Sequence, residues 1–125
     1  MNDDDLCFMP ATELRQRILR REVSPVEVTR AVLERADRLQ PRLNCFITLC
    51  HDAAMASARQ AEQALMRGEP AGLLHGIPFT CKDLVNTAGV RTTFGSRLHA
   101  DNVPDHDAVA VARMKREGAI LVGKT

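Results

Sequence analysis

Three short apolar runs, separated by segments of helical periodicity, constrain the fold of this chain most strongly. The runs are residues 43–50 (LNCFITLC), residues 77–82 and residues 119–123 (AILVG), and their length and composition predict strands. An alanine-rich segment, residues 52–67, and a segment running to about Arg116 predict helices between them. Strands that alternate with helices predict an α/β fold with at least partly parallel pairing.

Two further helices are predicted ahead of the first strand. Thr12 is suited to cap the first of them. The stretch SPVE places Ser24 at the N-cap, Pro25 at the first helical position and Glu27 at the third, which is a capping box. Pro41 is expected to end this second helix.

Cap residues also delimit the two later helices. Gly68 is expected to close the alanine-rich helix. Asp105 or Asp107 can cap the next helix, and Gly118 can close it.

We therefore predict that residues 1–125 form the N-terminal part of a single domain. Residues 1–41 are its helical lead-in, and residues 42–125 begin its α/β core. A buried parallel strand normally continues into a functional loop, yet the given chain stops at Thr125, which suggests the front of a larger domain.

Composition excludes several classes of function. The net charge is +1 and aromatic residues make up 3% of the chain, so neither a nucleic acid nor a membrane surface is an expected partner. The acidic start MNDDDLCFMP lacks the pattern of a signal peptide, which makes the cytoplasm the default location. The four cysteines are then expected as free thiols. Cys45, Cys50 and His51 match no standard zinc spacing, so no metal is predicted.

Residues 118–125 (GAILVGKT) match the phosphate-loop pattern letter for letter. That mechanism needs a strand before the first glycine and a helix after the lysine. Here a predicted helix precedes Gly118, and strand formers follow it. We therefore interpret this stretch as a helix stop and a core strand, and not as a nucleotide site.

Lys82 is the residue that raises the question of function, because it follows the apolar run in LLHGIPFTCKD. It could extend to solvent from the strand end, or pair with its neighbour Asp83. Alternatively, a desolvated strand end would favour the neutral amine, which can accept a proton.

Motifs on either side of Lys82 favour the catalytic interpretation. Several ordered pieces resemble the amidase signature family of serine amidohydrolases, and the resemblance covers the chain from residue 11 onward. The pieces are Leu74-His75-Gly76-Ile77-Pro78, Lys82-Asp83, Gly89, Thr92-Thr93, Gly95-Ser96, Asp107-Ala108, Gly118-Ala119 and Gly123-Lys124-Thr125.

The resemblance implies a Ser–cis-Ser–Lys triad in which Lys82 is the catalytic lysine. One serine would attack the amide carbonyl, a second serine would relay the proton, and the lysine would act as base and then as acid. No cofactor and no metal are implied. The expected partner is a small-molecule amide substrate, and a homodimer is compatible with the family.

The serine-rich segment of the family lies beyond the equivalent of Thr125. Ser24 is a predicted helix cap, Ser57 lies in a predicted helix, and Ser96 lies in a loop, so none is a candidate nucleophile. The chain alone is therefore expected to be inactive.

The remaining nucleophilic and basic side chains are expected to be structural. Cys81 is predicted to pack in the core, and His75 is predicted to support the turn before the strand. His99 and His106 lie in loop-like sequence and have no distinguishing pattern.

The sequence thus predicts an amidase-type hydrolase acting on carbon–nitrogen bonds. The alternatives are the amidotransferase branch of the same family, which passes ammonia from glutamine to a charged transfer RNA, and a non-catalytic remnant that serves in assembly.

Overall fold

The computed structural model describes residues 2–125 and has the predicted α/β architecture. A short 3-10 helix, Arg97–His99, interrupts the long loop before the last helix. The helices are α1 (Asp3–Phe8), α2 (Ala11–Leu19), α3 (Pro25–Leu43), α4 (His51–Met66) and α5 (Val109–Arg116), and the strands are β1 (Thr48–Leu49), β2 (Pro78–Cys81) and β3 (Ile120–Lys124).

The three strands form one mixed sheet in the order β1-β3-β2. β3 pairs in parallel with β2, where Cys81 lies opposite Lys124, and antiparallel with β1, where Leu49 lies opposite Gly123. Every residue of β3 is buried. The last strand of the chain is therefore the central strand of its sheet, and the predicted parallel pairing is confirmed for β2 and β3.

Apolar clusters join the helices to the sheet. Leu33 of α3 packs with Ala54 and Ala58 of α4 against Ile120 and Val122 of β3. The small alanines allow α4 to lie close to the strand, as its composition predicts. A second cluster lies among α1, α2, α3 and the start of β2, and consists of Leu6, Leu14, Ile18, Val23, Val28, Ala31 and Ile77.

The start of α3 confirms the predicted capping box. The Ser24 hydroxyl accepts a hydrogen bond from the Glu27 N–H at 3.0 Å, and the Glu27 carboxylate accepts one from the Ser24 N–H at 2.8 Å. The predicted end of this helix is wrong, because α3 continues through Pro41. Pro41 lies in the last turn, and Asn44 ends the helix in the left-handed conformation.

Replacing Ser24 with alanine should lower the free energy of unfolding by about 1 kcal/mol, because the Glu27 N–H loses the hydroxyl that accepts its hydrogen bond. Chemical denaturation measures the difference. Ser57→Ala is the matched control, since Ser57 is exposed within α4 and should change stability by less than about 0.5 kcal/mol. Equal effects of the two substitutions would contradict the capping role.

Two other predicted helix caps are wrong. Thr12 lies inside α2, which begins after Pro10, and α5 begins after Ala108 with no side-chain cap. Asp107 lies just before α5, but its carboxylate accepts a hydrogen bond from the Ala88 N–H at 2.8 Å, and so it joins two loops. Asp105 contacts His106.

The first predicted strand is much shorter than its apolar run. Only Thr48 and Leu49 form β1, although the flanking Ile47 and Cys50 N–H groups also donate to β3, to Lys124 O at 2.8 Å and Val122 O at 3.0 Å. Before them, the Gln40 side chain donates to the Phe46 carbonyl at 2.8 Å and accepts from the Phe46 N–H at 3.1 Å, which satisfies the Phe46 backbone. Within the predicted lead-in, residues 1–41, Asn2 caps a further helix, α1, that the sequence analysis did not predict.

The interpretation of residues 118–125 as a helix stop and a strand is confirmed. Gly118 follows α5 with φ of +88°, and its N–H donates to Lys115 O at 2.9 Å. A Cβ atom on Gly118 would lie 2.8 Å from the Cα of His75, so both the backbone conformation and the close approach require glycine. Within residues 2–125, none of the helices has the length and apolar character needed to span a membrane.

Candidate active site

Lys82 lies directly after β2, at the carboxyl end of the parallel pair formed with β3. The preceding residue, Cys81, is buried and packs with Val111 and Leu121, whereas the Lys82 side chain is exposed. The prediction that Cys81 packs in the core is therefore confirmed. Lys82 is exposed among residues 2–125, so the desolvation that a catalytic lysine needs stays a prediction for the longer protein.

Asp83 fixes the start of the loop that follows Lys82. Its buried carboxylate accepts hydrogen bonds from the Thr93 N–H at 3.1 and 3.2 Å and from the Thr93 hydroxyl. Its backbone N–H donates to Thr125 O at 2.8 Å, and its carbonyl accepts from the Phe94 N–H at 3.1 Å. Asp83 therefore joins the end of β2 to the end of β3 and to the far side of the loop.

A tight turn begins at Lys82 itself. The Val85 N–H donates to the Lys82 carbonyl at 2.9 Å. The position of the Lys82 backbone thus depends on what holds Val85.

The buried lysine of the structure is Lys124, not Lys82. Lys124 is 0% exposed, and its ammonium group donates to the Val85 carbonyl at 2.6 Å and to the Thr87 and Thr92 hydroxyls at 2.8 Å each. Burial lowers the pKa of Lys124 below its ordinary value, while the nearby Cys81 and Asp83 oppose that shift. Sequence reasoning missed this site, although Lys124 ends an apolar run as Lys82 does.

The serines of the chain have structural contacts. Ser24 caps α3, Ser57 lies within α4, and the Ser96 hydroxyl accepts from the Leu98 N–H at 3.3 Å at the start of the 3-10 helix. None of these three hydroxyls contacts Lys82 among the hydrogen bonds of residues 2–125. The structure thus brings no serine nucleophile to the candidate base.

The histidines and thiols do not assemble a second site. His75 is buried, and its ring lies 2.9 Å from the Ala61 carbonyl, which supports the structural role expected of it. His51 pairs with Asp37 at 2.9 Å, and within residues 2–125 no group of three potential ligands could hold a metal ion. Burial raises the pKa of the Cys50 thiol, which makes it a poor nucleophile.

His99 and His106 each have a local partner. The ring of His99 packs edge-on against Phe94 with centroids 5.3 Å apart. His106 lies between Asp105, at 2.8 Å, and the Asn86 amide, at 3.0 Å.

Asp107 and Lys115 form an ion pair between the loop before α5 and α5 itself. The carboxylate lies 2.9 Å from the Lys115 ammonium group. Burial raises the pKa of Asp107, but the hydrogen bonds from Lys115 and from the Ala88 N–H lower it further, so the net shift is downward from 3.8.

We expect Asp107→Asn to lower the free energy of unfolding at pH 7 by about 1 kcal/mol, because Lys115 loses its charged partner. A lowered carboxyl pKa contributes stability that is complete above the ordinary value and is lost as the pH falls through the lowered value. Denaturation curves of the two proteins should therefore differ at pH 7 and converge at about pH 2. A difference that does not change with pH would contradict the assignment.

A concavity of about 670 Å³ lies away from Lys82, between α4 and the start of β3. Its charged lining groups already have partners within the protein: Arg67 binds Glu69 at 2.6 Å, and Lys115 binds Asp107. The concavity therefore offers no free charged group to a ligand, and Lys82 remains the candidate for chemistry.

Comparison with known proteins decides the family. The amidase family profile matches residues 27–125, which is most of the chain. The chain belongs to the amidase family. The fold at the ends of β2 and β3, with the Lys82–Asp83 pair, lies entirely within the matched region.

Individual relatives agree with this family. The A subunit of glutamyl-tRNA(Gln) amidotransferase from Carboxydothermus hydrogenoformans is 34% identical over 97% of this chain. The protein of the same name from Methylococcus capsulatus is 47% identical over 90% of it. The solved structure of the native peptide amidase from Stenotrophomonas maltophilia superposes with a TM-score of 0.88 and 34% identity over 94% of this chain. The chain spans 25%, 23% and 24% of these three proteins, respectively.

Proposed function

We propose that this chain supplies the catalytic-lysine segment of an amidase-type hydrolase that cleaves the carbon–nitrogen bond of a carboxamide through a serine acyl-enzyme. The observation that carries the proposal is the place of Lys82. Lys82 directly follows β2, which pairs in parallel with β3 inside the region that the amidase family profile matches. Its side chain is exposed, and Asp83 fixes the loop that follows it. Ligands and catalytic groups commonly gather at the carboxyl ends of such strands.

In the proposed reaction Lys82 moves protons. The neutral amine accepts the proton of the nucleophilic serine through the relay serine as the serine oxygen attacks the amide carbon. The resulting ammonium returns that proton to the leaving nitrogen, so the carbon–nitrogen bond breaks and ammonia or an amine departs. Water then hydrolyses the ester by the same path and restores the acid and the free serine.

The two serines and the backbone donors for the oxyanion belong to a segment outside these 125 residues. We therefore expect the 125-residue chain alone not to hydrolyse amides. By the same proposal the protein acts in the cytoplasm on a small-molecule amide and needs no cofactor. A homodimer is one assembly that the proposal allows.

An amidotransferase role is the second candidate, and the identity of 34% and 47% to the two amidotransferase relatives favours it. In that role Lys82 would serve the hydrolysis of glutamine, and the ammonia would pass to glutamate carried on transfer RNA. The chemistry at Lys82 is the same in both cases. What differs is the fate of the ammonia and the need for partner proteins.

Ammonia release by the protein encoded by the complete gene tests the proposal. The substrates would be aliphatic, aromatic and peptide carboxamides, and glutamine with and without a glutamate-charged transfer RNA. Release from simple carboxamides without an acceptor supports the hydrolase, whereas release from glutamine that needs the charged transfer RNA supports the amidotransferase. No release from any of them would contradict both.

A further inference from the structure

Lys124 places a charged amine in the protein interior, where an apolar side chain would cost less free energy to bury. Removal of an ammonium group from water costs several kcal/mol, and a well-packed hydrophobic residue often replaces a buried charge without loss of stability. Lys124 is nevertheless 0% exposed at the end of the central strand. Its hydrogen-bond partners are a carbonyl and two hydroxyls, so no carboxylate in this set neutralises the charge.

The three acceptors match the three donors of an ammonium group. The distances are 2.6 Å to the Val85 carbonyl and 2.8 Å to each of the Thr87 and Thr92 hydroxyls. The charged form donates to all three oxygens at once, whereas a neutral amine has two donors and a lone pair, to which a threonine hydroxyl would have to donate. The arrangement of the three oxygens therefore suits the charged form.

All three acceptors belong to the loop that follows Lys82. Val85 makes the connection direct, because its N–H donates to the Lys82 carbonyl at 2.9 Å and its own carbonyl accepts from Lys124. A single residue thus separates the Lys124 ammonium from the backbone of Lys82. Thr87 and Thr92 lie 3.4 Å apart by their hydroxyls, so the same ammonium also draws together the two sides of the loop.

Thr125, the residue that follows β3, holds the other side of Lys82. The Thr125 N–H donates to the Cys81 carbonyl at 3.0 Å, and the Thr125 carbonyl accepts from the Asp83 N–H at 2.8 Å. These backbone bonds fix the residues on either side of Lys82, while Lys124 fixes the turn that Lys82 begins. Of the two attachments, only the one through Lys124 depends on a side chain of β3.

We propose that Lys124 is a positioning residue for the reaction at Lys82: its ammonium group holds the turn from Lys82 to Val85, and with it the Lys82 backbone, in the reactive arrangement. The inference rests on the proposed function. Lys124 does not touch substrate in this role. Its effect on rate comes through the placement of Lys82, because a displacement of about 1 Å can cost about a hundredfold in rate.

Substitutions in the complete protein test the inference. Lys124→Met keeps the length of the side chain but removes the three donors, and Thr92→Val and Thr87→Val each remove one acceptor with little change of shape. Thr92→Ser and Thr87→Ser are matched controls that keep the hydroxyl. Kinetics on the best carboxamide give kcat and KM, and hydrogen exchange at the Val85 amide reports the turn without reference to activity.

We expect Lys124→Met to lower kcat by about 10- to 100-fold with KM changed less than about twofold, and to speed exchange at Val85. Each valine variant should lower kcat by about 3- to 10-fold, and each serine variant should retain wild-type kcat.

Three results would overturn the inference. Folded valine variants with faster exchange at Val85 but wild-type kcat would show that the three acceptors of Lys124 serve stability alone. If Lys124→Met does not fold, these valine variants provide the test. Wild-type exchange at Val85 in Lys124→Met would show that Lys124 does not hold the turn. A wild-type protein inactive on every carboxamide and on glutamine would instead contradict the proposed function, and the positioning role with it.

Discussion

Replacing Lys82 with alanine is expected to lower kcat/KM for amide hydrolysis by the complete protein on the order of 10³-fold, because the reaction loses its general base and its general acid together. Folding should be unaffected, since the Lys82 side chain is exposed and makes no hydrogen bond among residues 2–125. Ammonia release measures the rate, and circular dichroism with thermal melting measures the fold.

Two further variants sharpen this result. Lys82→Arg should be as inactive as Lys82→Ala, because a guanidinium group stays protonated and cannot accept a proton. Arg113→Ala, which removes an exposed positive charge from α5, should retain the wild-type rate. An active Lys82→Arg enzyme would show that the site needs only a positive charge, and an active Lys82→Ala enzyme would remove Lys82 from the mechanism.

Asp83→Ala is expected to have the largest effect on stability, a loss of about 3–5 kcal/mol in the free energy of unfolding. Asp83 is 5% exposed, and its carboxylate accepts from both the N–H and the hydroxyl of Thr93. Alanine would leave both donors buried without an acceptor, and such groups carry their full desolvation cost.

Asp83→Asn separates the charge from the hydrogen bonds. The amide oxygen can still accept one of the Thr93 bonds, so we expect about half the loss seen for alanine. Asp101→Ala is the surface control, because Asp101 is exposed and lies in the same long loop, and it should change stability by less than about 0.5 kcal/mol. Denaturant titrations compare the three variants. An Asp83→Ala protein as stable as Asp101→Ala would contradict the anchoring role.

The parts of the fold that local chemistry determines could be predicted from the sequence. Ser24 and Glu27 satisfy the first N–H groups of α3 from within four residues, so the pattern SPVE suffices to place the helix start. Likewise, the spacing of Ala54 and Ala58 predicts a helix that packs closely on the sheet.

The parts that depend on distant residues could not be predicted. The Gln40 side chain bonds to the Phe46 backbone, and Asp107 bonds to the Ala88 N–H although its position in the sequence suggests a helix cap. Neither contact has a signature in the local sequence. The catalytic role of Lys82 rests on family resemblance, and it stays a prediction until activity is measured.

The two lysines show most clearly what sequence reasoning lacks. Each follows a short apolar run, and their local patterns are alike. Lys124 is buried because the loop after β2 folds over the end of β3 and binds its ammonium group, whereas Lys82 is exposed among residues 2–125. The burial of each lysine depends on residues far from it in the sequence, so the local pattern could not distinguish the two.

Chemical rescue tests most directly the claim that the Lys82 amine is the working base. Small primary amines such as methylamine and ethylamine would be added to the Lys82→Ala form of the complete protein, with the Lys82→Arg form as the control in which arginine still occupies the space. We expect ammonia release from a carboxamide to return with increasing amine concentration in Lys82→Ala, by about tenfold or more, and not to return in Lys82→Arg. A folded Lys82→Ala protein whose activity no amine restores would contradict it.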